Sequence, residues 1–306
     1  MKLLISGGCK NGKSSTALRL AAQLARGGPA YYVATMLPRD AEDEARIAYH
    51  VRRRQGLGLQ TIEWGRRIDR CQLPRAGATV LVDSVTALVQ NELLQADGVF
   101  PAGPTQVAQQ LLMFSRQAAH VIFITDYIYS DAGHYNTLTQ HYCKCLAQTD
   151  RALAAACDTV AEICGATVTL HKGTLPLLLE PPVGAAVREL VIAGAGQGAL
   201  DYVQQTYGVG QEQLYFCRDD APPDFSAHYV CGLEHYVRYC LTAGQTPRLG
   251  FDPAAVLVCS DLFCGVVPAD PALRAWREAT GHYLARLSSQ AARVTRVFAG
   301  LPQRLK

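Results

Sequence analysis

The sequence predicts an α/β fold, a parallel sheet with helices on both faces, in two tandem copies of which the second is shortened. Three observations carry this. Short apolar runs alternate with helical stretches through the first half of the chain. A glycine-rich loop joins the first apolar run to the first helix. A second apolar run, again leading into a glycine-rich loop, recurs beyond residue 186.

Taken in order, the first strand is Leu3-Leu4-Ile5-Ser6. Its apolar stretch stops too early for the core of a secretory leader, so a cytoplasmic location is expected. Directly after it, Gly7-Gly8-Cys9-Lys10-Asn11-Gly12-Lys13-Ser14 completes a G-x-x-x-x-G-K-S, and an Ala- and Leu-rich helix follows over 15–24. In that setting backbone N–H groups and a helix N-terminus face a polyphosphate. Lys13 reaches its β/γ oxygens and the Ser14 hydroxyl reaches Mg²⁺. The predicted nucleotide-binding residues are therefore Gly7, Gly8, Cys9, Lys10, Asn11, Gly12, Lys13, Ser14 and Ser15, with Lys13 also catalytic. A glycine turn that merely contains lysine is the alternative, and the flanking strand and helix argue against it. The fold is thus expected to be P-loop NTPase-like, of the RecA-like kind, with ATP or GTP as substrate.

The second strand, 31–35, ends in Ala34-Thr35. If the polar run over 42–54 is helical, Arg46, His50 and Arg54 fall at i, i+4 and i+8 on one face. A histidine between two arginines is pushed toward its neutral, nucleophilic form, and the guanidinium groups can hold phosphate. A solvated histidine on a basic helix is the competing reading. The third strand, Val80-Leu81-Val82-Asp83, ends in a carboxylate placed to hold Mg²⁺ or, equally, to cap the next helix; Asn91 follows eight positions on. A fourth strand is read at 121–125. The proline-containing stretch 174–186 reads as a linker between domains at 1–173 and 187–306.

After the linker, Leu190-Val191-Ile192-Ala193 opens a new strand and Gly194-Ala195-Gly196-Gln197-Gly198 a new loop. Leu153 and Leu287, Val160 and Val294, and Lys172 and Lys306 are each 134 apart, with Leu170 and Leu305 one position out of step. Aligning Gly12 with Gly198 gives 186, so the second copy lacks 52 residues from its middle, expected to have carried the histidine helix and the Asp83 strand.

Composition narrows the function class. The 306 residues are 49% apolar and 18% charged with a net charge of +3, a globular balance that gives no reason to invoke nucleic acid or an anionic membrane. No run approaches the ~18 apolar residues of a membrane span. Eleven cysteines are scattered, Cys143 and Cys145 separated by one position and Cys259 and Cys264 by four, without a second pair at zinc-site spacing; reduced thiols are expected.

Together the G-G-x-x-x-G-K-S start, the Ala34-Thr35 strand end, R-I-x-x-H-x-x-x-R at Arg46, Ile47, His50 and Arg54, the Asp83 strand, Asn91 and the end over 153–172 resemble the adenosylcobinamide kinase / adenosylcobinamide-phosphate guanylyltransferase family of cobalamin biosynthesis. The resemblance implies that His50 accepts GMP from GTP and passes it to adenosylcobinamide phosphate. It also implies that the phosphate loop and Mg²⁺, held by Ser14 and Asp83, serve phosphoryl transfer to adenosylcobinamide. Thr35, Arg46 and Arg54 join the expected nucleotide-binding residues.

Departures are concentrated in one place. The family's T-N-E-x-G-x-G-x-V-P loop and R-x-x-R-x-x-x-G helix read here as Thr125-Asp126-Tyr127, His134, Gln140, Cys143 and Ala147. The second copy carries Ser260-Asp261, Gly265-Val266-Val267-Pro268, Arg274, Arg277 and Gly281, with His282 next, but Ala199 and Leu200 in place of Lys13 and Ser14. Arg274 and Arg277 are read either as bracing that loop or a phosphate, or as surface charges pairing with Glu278. The expected assembly is an intrachain pseudo-dimer, with homo-oligomerisation as a further expectation. The alternatives are a P-loop kinase or NTPase that has lost guanylyl transfer, or a non-catalytic nucleotide-binding regulator.

Overall fold

The computed structural model describes the chain except residues 39, 96–97, 100–103, 131–132, 176–185 and 264. Most of the linker read at 174–186, and Cys264, lie outside the described residues. Two compact units are present. The first comprises Met1–Gly8, Lys13–Glu162 and Leu170–Leu177, and the second Cys9–Gly12, Ile163–Thr169 and Leu178–Lys306. Two short segments of the amino-terminal half thus belong to the second unit.

The elements of the amino-terminal half are β1 (Lys2–Gly7), α1 (Lys13–Ala25), β2 (Ala30–Ala34), α2 (Ala41–Arg54), β3 (Gln60–Glu63), β4 (Thr79–Asp83), α3 (Val85–Leu93), β5 (Leu94–Gln95), β6 (Gly98–Val99), α4 (Pro104–Phe114), β7 (His120–Ile124), α5 (Thr137–Ala156), β8 (Thr159–Cys164) and β9 (Thr167–Lys172). Seven strands form one sheet in the order β3-β2-β4-β7-β1-β8-β9, while β5 and β6 make a separate antiparallel pair. Strands β3, β2, β4, β7 and β1 are mutually parallel. Leu3, Ile5, Val80, Leu81, Val82, Ile122 and Phe123 are fully buried. That is why these strands read as continuous apolar runs rather than alternating ones. The register sets Glu63, Ala34, Asp83, Ile124 and Ile5 side by side across the sheet. The residues that follow them therefore share the carboxyl edge, where α/β sheets bind ligands.

The carboxy-terminal half contains β10 (Val187–Ala193), α6 (Ala199–Tyr207), β11 (Tyr215–Phe216), β12 (Tyr229–Cys231), α7 (Leu233–Thr242), β13 (Val256–Ser260), α8 (Pro271–Gln290), β14 (Ala291–Phe298) and β15 (Leu301–Arg304). Its sheet runs β11-β12-β13-β10-β14-β15 around a core that includes Leu190, Ile192, Leu257, Tyr283 and Leu287. The order matches the first sheet once β3 is removed. Spacing matches too: α5 and α8 start and end at the same offset of 134 seen in the sequence. Lys172 Nζ donates to the carbonyls of Ala154 and Ala155, and Lys306 Nζ to those of Ser288 and Ser289.

The strand expected to be missing from the second half, that of Asp83, has a counterpart there. The second sheet keeps a strand in the place of β4. Asp83 lies opposite Ile124 on β7, and Cys231 lies opposite Val258 on β13, where Ile124 and Val258 are related by the same offset of 134. Cys231 therefore stands where Asp83 stands in the first sheet. Followed along the registers, the offset between the halves falls from 186 at β1 to 182 at Ala34, 148 at Asp83 and 134 at β7. Set against the first sheet, the second is thus shorter at three places. The largest difference lies between the β2 and β4 positions, where the second sheet has no counterpart of α2 and β3 among the described residues but keeps the strand. A parallel sheet tolerates loss of an edge strand with its helix, whereas removing an interior strand would leave two unpaired edges.

Candidate functional site

The phosphate loop leaves β1 at Gly7 and enters α1 at Lys13. Gly12 has a φ of +93°, a left-handed conformation that disfavours any side chain. No acidic residue occupies the first turn of α1, so its positive end stays available to an anion. Lys13 is 5% exposed; its ammonium donates to the Gly8 carbonyl at 2.6 Å and pairs with Asp126 Oδ1 at 2.6 Å. Ser14 and Ser15 follow it in the first helical turn. Within the second unit, Cys9 N–H donates to the Phe263 carbonyl at 3.2 Å and Lys10 pairs with Glu278 at 2.7 Å. Asn11 is buried there with its backbone carbonyl accepting from Ala166 N–H.

The histidine helix forms as expected. Asp40 caps α2 by accepting the Asp43 N–H at 2.8 Å. His50 and Arg54 line a cavity of about 560 Å³ that Asp83, Tyr32, Glu63 and Trp64 also line. Tyr32 Oη donates to Asp83 Oδ2 at 2.9 Å, and burial, reinforced by that carboxylate, drives the phenol far above its ordinary pKa. Arg54 stacks over the Tyr32 ring at 4.3 Å and donates through Nε to Thr61 at 3.0 Å. Arg46 instead turns to Asp43, at 3.5 Å along the helix, and is not among the residues lining this cavity.

Two further residues serve the frame. Thr35 is fully buried; its hydroxyl donates to the Ser84 carbonyl and accepts the Ser84 N–H, both at 2.7 Å. Asn91 donates to the carbonyls of Thr35 and Gly65 at 2.8 and 2.9 Å, tying the ends of β2 and β3 to α3. Ser84, not Asp83, caps α3, accepting the Ala87 N–H at 3.1 Å. The Asp83 carboxylate is thereby left in the cavity.

The sequence profile of the family described as "Cobinamide kinase / cobinamide phosphate guanyltransferase" matches residues 3–170, more than half of the chain. The chain belongs to this family. The matched span contains the phosphate loop, Thr35, Arg46, His50, Arg54 and Asp83, and ends before the carboxy-terminal half. No curated protein sequence matches the chain. Among solved structures, the flagellar accessory protein FlaH from Methanocaldococcus jannaschii is similar at 12% identity and a TM-score of 0.31, over 56% of this chain and 78% of that one. A second solved structure, an ATPase domain, is similar at 12% identity and a TM-score of 0.32, over 53% of this chain and 68% of that one.

Within the family span, Tyr32, Glu63 and Trp64 belong to none of the sequence motifs, and Asp126 enters only as a departure from the family's loop. Asp126 had a legible signal, since it follows the apolar run of β7 as Asp83 ends that of β4. Its backbone N–H is fixed by Thr86 Oγ1 at 2.8 Å. Behind it, Asp150 accepts from Thr125 at 3.0 Å and Tyr129 at 2.8 Å, and burial pushes its carboxyl up to about 7. Glu63 and Trp64 carry no motif; the pairing of β3 beside β2 brings them in. In the second unit, Arg277 donates to the carbonyls of Val266 and Gly265 at 3.0 and 2.7 Å, and Arg274 to that of Pro268 at 3.0 Å. Both arginines brace the loop, while Glu278 holds Lys10.

Proposed function

We propose that the chain is an adenosylcobinamide kinase and adenosylcobinamide-phosphate guanylyltransferase with one nucleotide site, that of the phosphate loop. The observation that carries the reading is the meeting of His50, Arg54 and Asp83 on one cavity at the carboxyl edge of the sheet. In the guanylyl half-reaction a neutral His50 nitrogen attacks the α-phosphorus of GTP. A P–N bond forms, the α–β P–O bond breaks and pyrophosphate leaves, with Arg54 supplying positive charge beside the nucleophile. A phosphate oxygen of adenosylcobinamide phosphate then attacks the same phosphorus, and the P–N bond breaks to return neutral His50. In the kinase reaction Lys13 balances the charge on the transferred γ-phosphoryl of ATP or GTP as it passes to the aminopropanol hydroxyl.

The oxygen donors Ser14, Asp83 and Asp126 suit Mg²⁺, which takes few protein ligands and keeps its remaining positions for water and phosphate. Bound there, the ion would neutralise phosphate charge. Thr35 and Asn91 act as positioning residues for the strand ends. The carboxy-terminal half is read as a degenerate copy of the same domain.

A kinase or NTPase without guanylyl transfer is the competing reading, favoured by Asp126-Tyr127 and His134 in place of the family's loop residues. One experiment separates them. The protein incubated with α-labelled GTP should acquire an acid-labile, alkali-stable adduct. Label that fails to attach, alongside retained phosphorylation of adenosylcobinamide, would assign the chain to the kinase-only reading.

A further inference from the structure

The second unit contains a cavity of about 460 Å³ at the carboxyl ends of β10, β12 and β13, beneath the loop 194–198. That volume is ordinary for a small-molecule site. Its place in the sheet is that of the phosphate site, but its chemistry is inverted. Ala199, Leu200 and Asp201 stand where the first loop has Lys13, Ser14 and Ser15, and Cys231 stands at the Asp83 position. Asp201, in the first turn of α6, already answers the positive end of that helix. Among the described residues, no lysine or arginine lines the cavity. A polyphosphate has nothing there to balance its charge.

The decisive group is Glu234. In the first unit Thr86 accepts the Asp126 N–H and the Asp126 carboxylate pairs with Lys13. At the corresponding positions of the second unit the roles are exchanged. Glu234 accepts the Ser260 N–H at 3.0 Å and the Ser260 hydroxyl at 2.6 Å. The carboxylate has moved from the strand end to the helix, and alanine has replaced the lysine. Glu234 is 6% exposed, and these donors are neutral. The start of α7 offsets part of its charge. His235, the basic side chain on the described wall, is engaged through Nδ1 with Asp219 at 2.9 Å. Burial, and then Glu234, push the Cys217 and Cys231 thiols up to about 12, so they stay neutral and add no charge beside the Glu234 carboxylate. Phe216, 44% exposed, and Val258 add an aromatic face and an apolar wall. A buried carboxylate held by neutral donors, beside an aromatic ring, is the environment that a cation stabilises.

We infer that this cavity binds a small organic cation, an amine or amidinium carried on an apolar or aromatic body, with Glu234 as its counter-ion. The site is independent of the phosphate loop and of His50. Benzamidine titrated calorimetrically into the full chain should bind, and benzyl alcohol and benzoate should bind at least tenfold more weakly. Glu234→Gln should weaken benzamidine at least tenfold. Leu200→Trp, which fills the mouth without touching Glu234, should do the same and decides the matter if the first variant fails to fold. Asp83→Asn, in the other cavity, should leave benzamidine binding unchanged. No binding of benzamidine, wild-type binding by both second-unit variants, benzoate matching benzamidine, or loss of binding in Asp83→Asn would each overturn the inference.

Discussion

The two glycine loops leave corresponding strands, β1 and β10, enter corresponding helices, α1 and α6, and accept corresponding hydrogen bonds. Ala166 N–H donates to the Asn11 carbonyl at 3.1 Å, and Gly300 N–H to the Gln197 carbonyl at 3.0 Å. Gly12 and its counterpart Gly198 have φ of +93° and +87°. What differs is what the side chains present: Lys13 with Asp126 at one, Ala199 with Glu234 at the other. Backbone shape is held by glycine conformation and main-chain hydrogen bonds, neither of which reads the lysine. Charge is therefore free to change while the pocket persists.

The two halves differ most visibly at α2, which among the described residues has no counterpart in the carboxy-terminal half. His50→Ala should abolish labelling by α-labelled GTP while leaving phosphorylation of adenosylcobinamide measurable; persisting GMP transfer would return His50 to a solvated helix residue. Next in size is Lys13→Ala, expected to fold normally and lose about a hundredfold or more in nucleotide turnover. The reciprocal Ala199→Lys should create no second triphosphate site, because Cys231 offers no carboxylate for a metal; equilibrium binding stoichiometry reads this directly.

Two smaller effects sharpen the contrast. Gly281 is the counterpart of Ala147, yet a Cβ on Gly281 would meet the Lys10 carbonyl at 2.8 Å. Gly281→Val should cost about 1–3 kcal/mol by overpacking, lowering the melting temperature by roughly 2–4 °C per kcal/mol. The smallest effect is at Asp150, whose counterpart in the second half is the buried Leu284. Its carboxyl titrates at about 7 when folded against an unfolded value of about 3.9. The folded state thus holds the proton longer, and stability contributed below pH 4 is lost as pH rises through 7. Asp150→Asn should flatten that decline and melt higher than wild type at pH 8, with little difference at pH 4.

Much of the site was legible because its signals are local. The G-x-x-x-x-G-K-S between strand and helix, the helical spacing of His50 and Arg54, and Asp83 closing an apolar strand need only neighbouring residues. Thr35 and Asn91 were visible as positions but not as parts, since their hydrogen bonds reach across β2, β3 and α3. Arg46 shared the expected helix face, yet a nearby Asp43 on the same helix claimed it. The cavity wall of Glu63 and Trp64 depends on which strand pairs beside β2, and no motif encodes that.

By itself, the sequence determined the alternating α/β order, the phosphate loop, the histidine helix and the constant offset between the ends of the two halves, because periodicity, glycine placement and strand–loop–helix order are properties of contiguous chain. Tertiary structure decided the rest. It kept a strand at the β4 position of the second sheet, set Cys231 in the register of Asp83, delivered Asp126 to Lys13, and placed Glu234 against Ser260 with alanine where the lysine would be. Each of these is a pairing between residues far apart in the chain. Such pairings are chosen by which strands and helices can bury their apolar faces together, a choice made only when the whole sheet assembles.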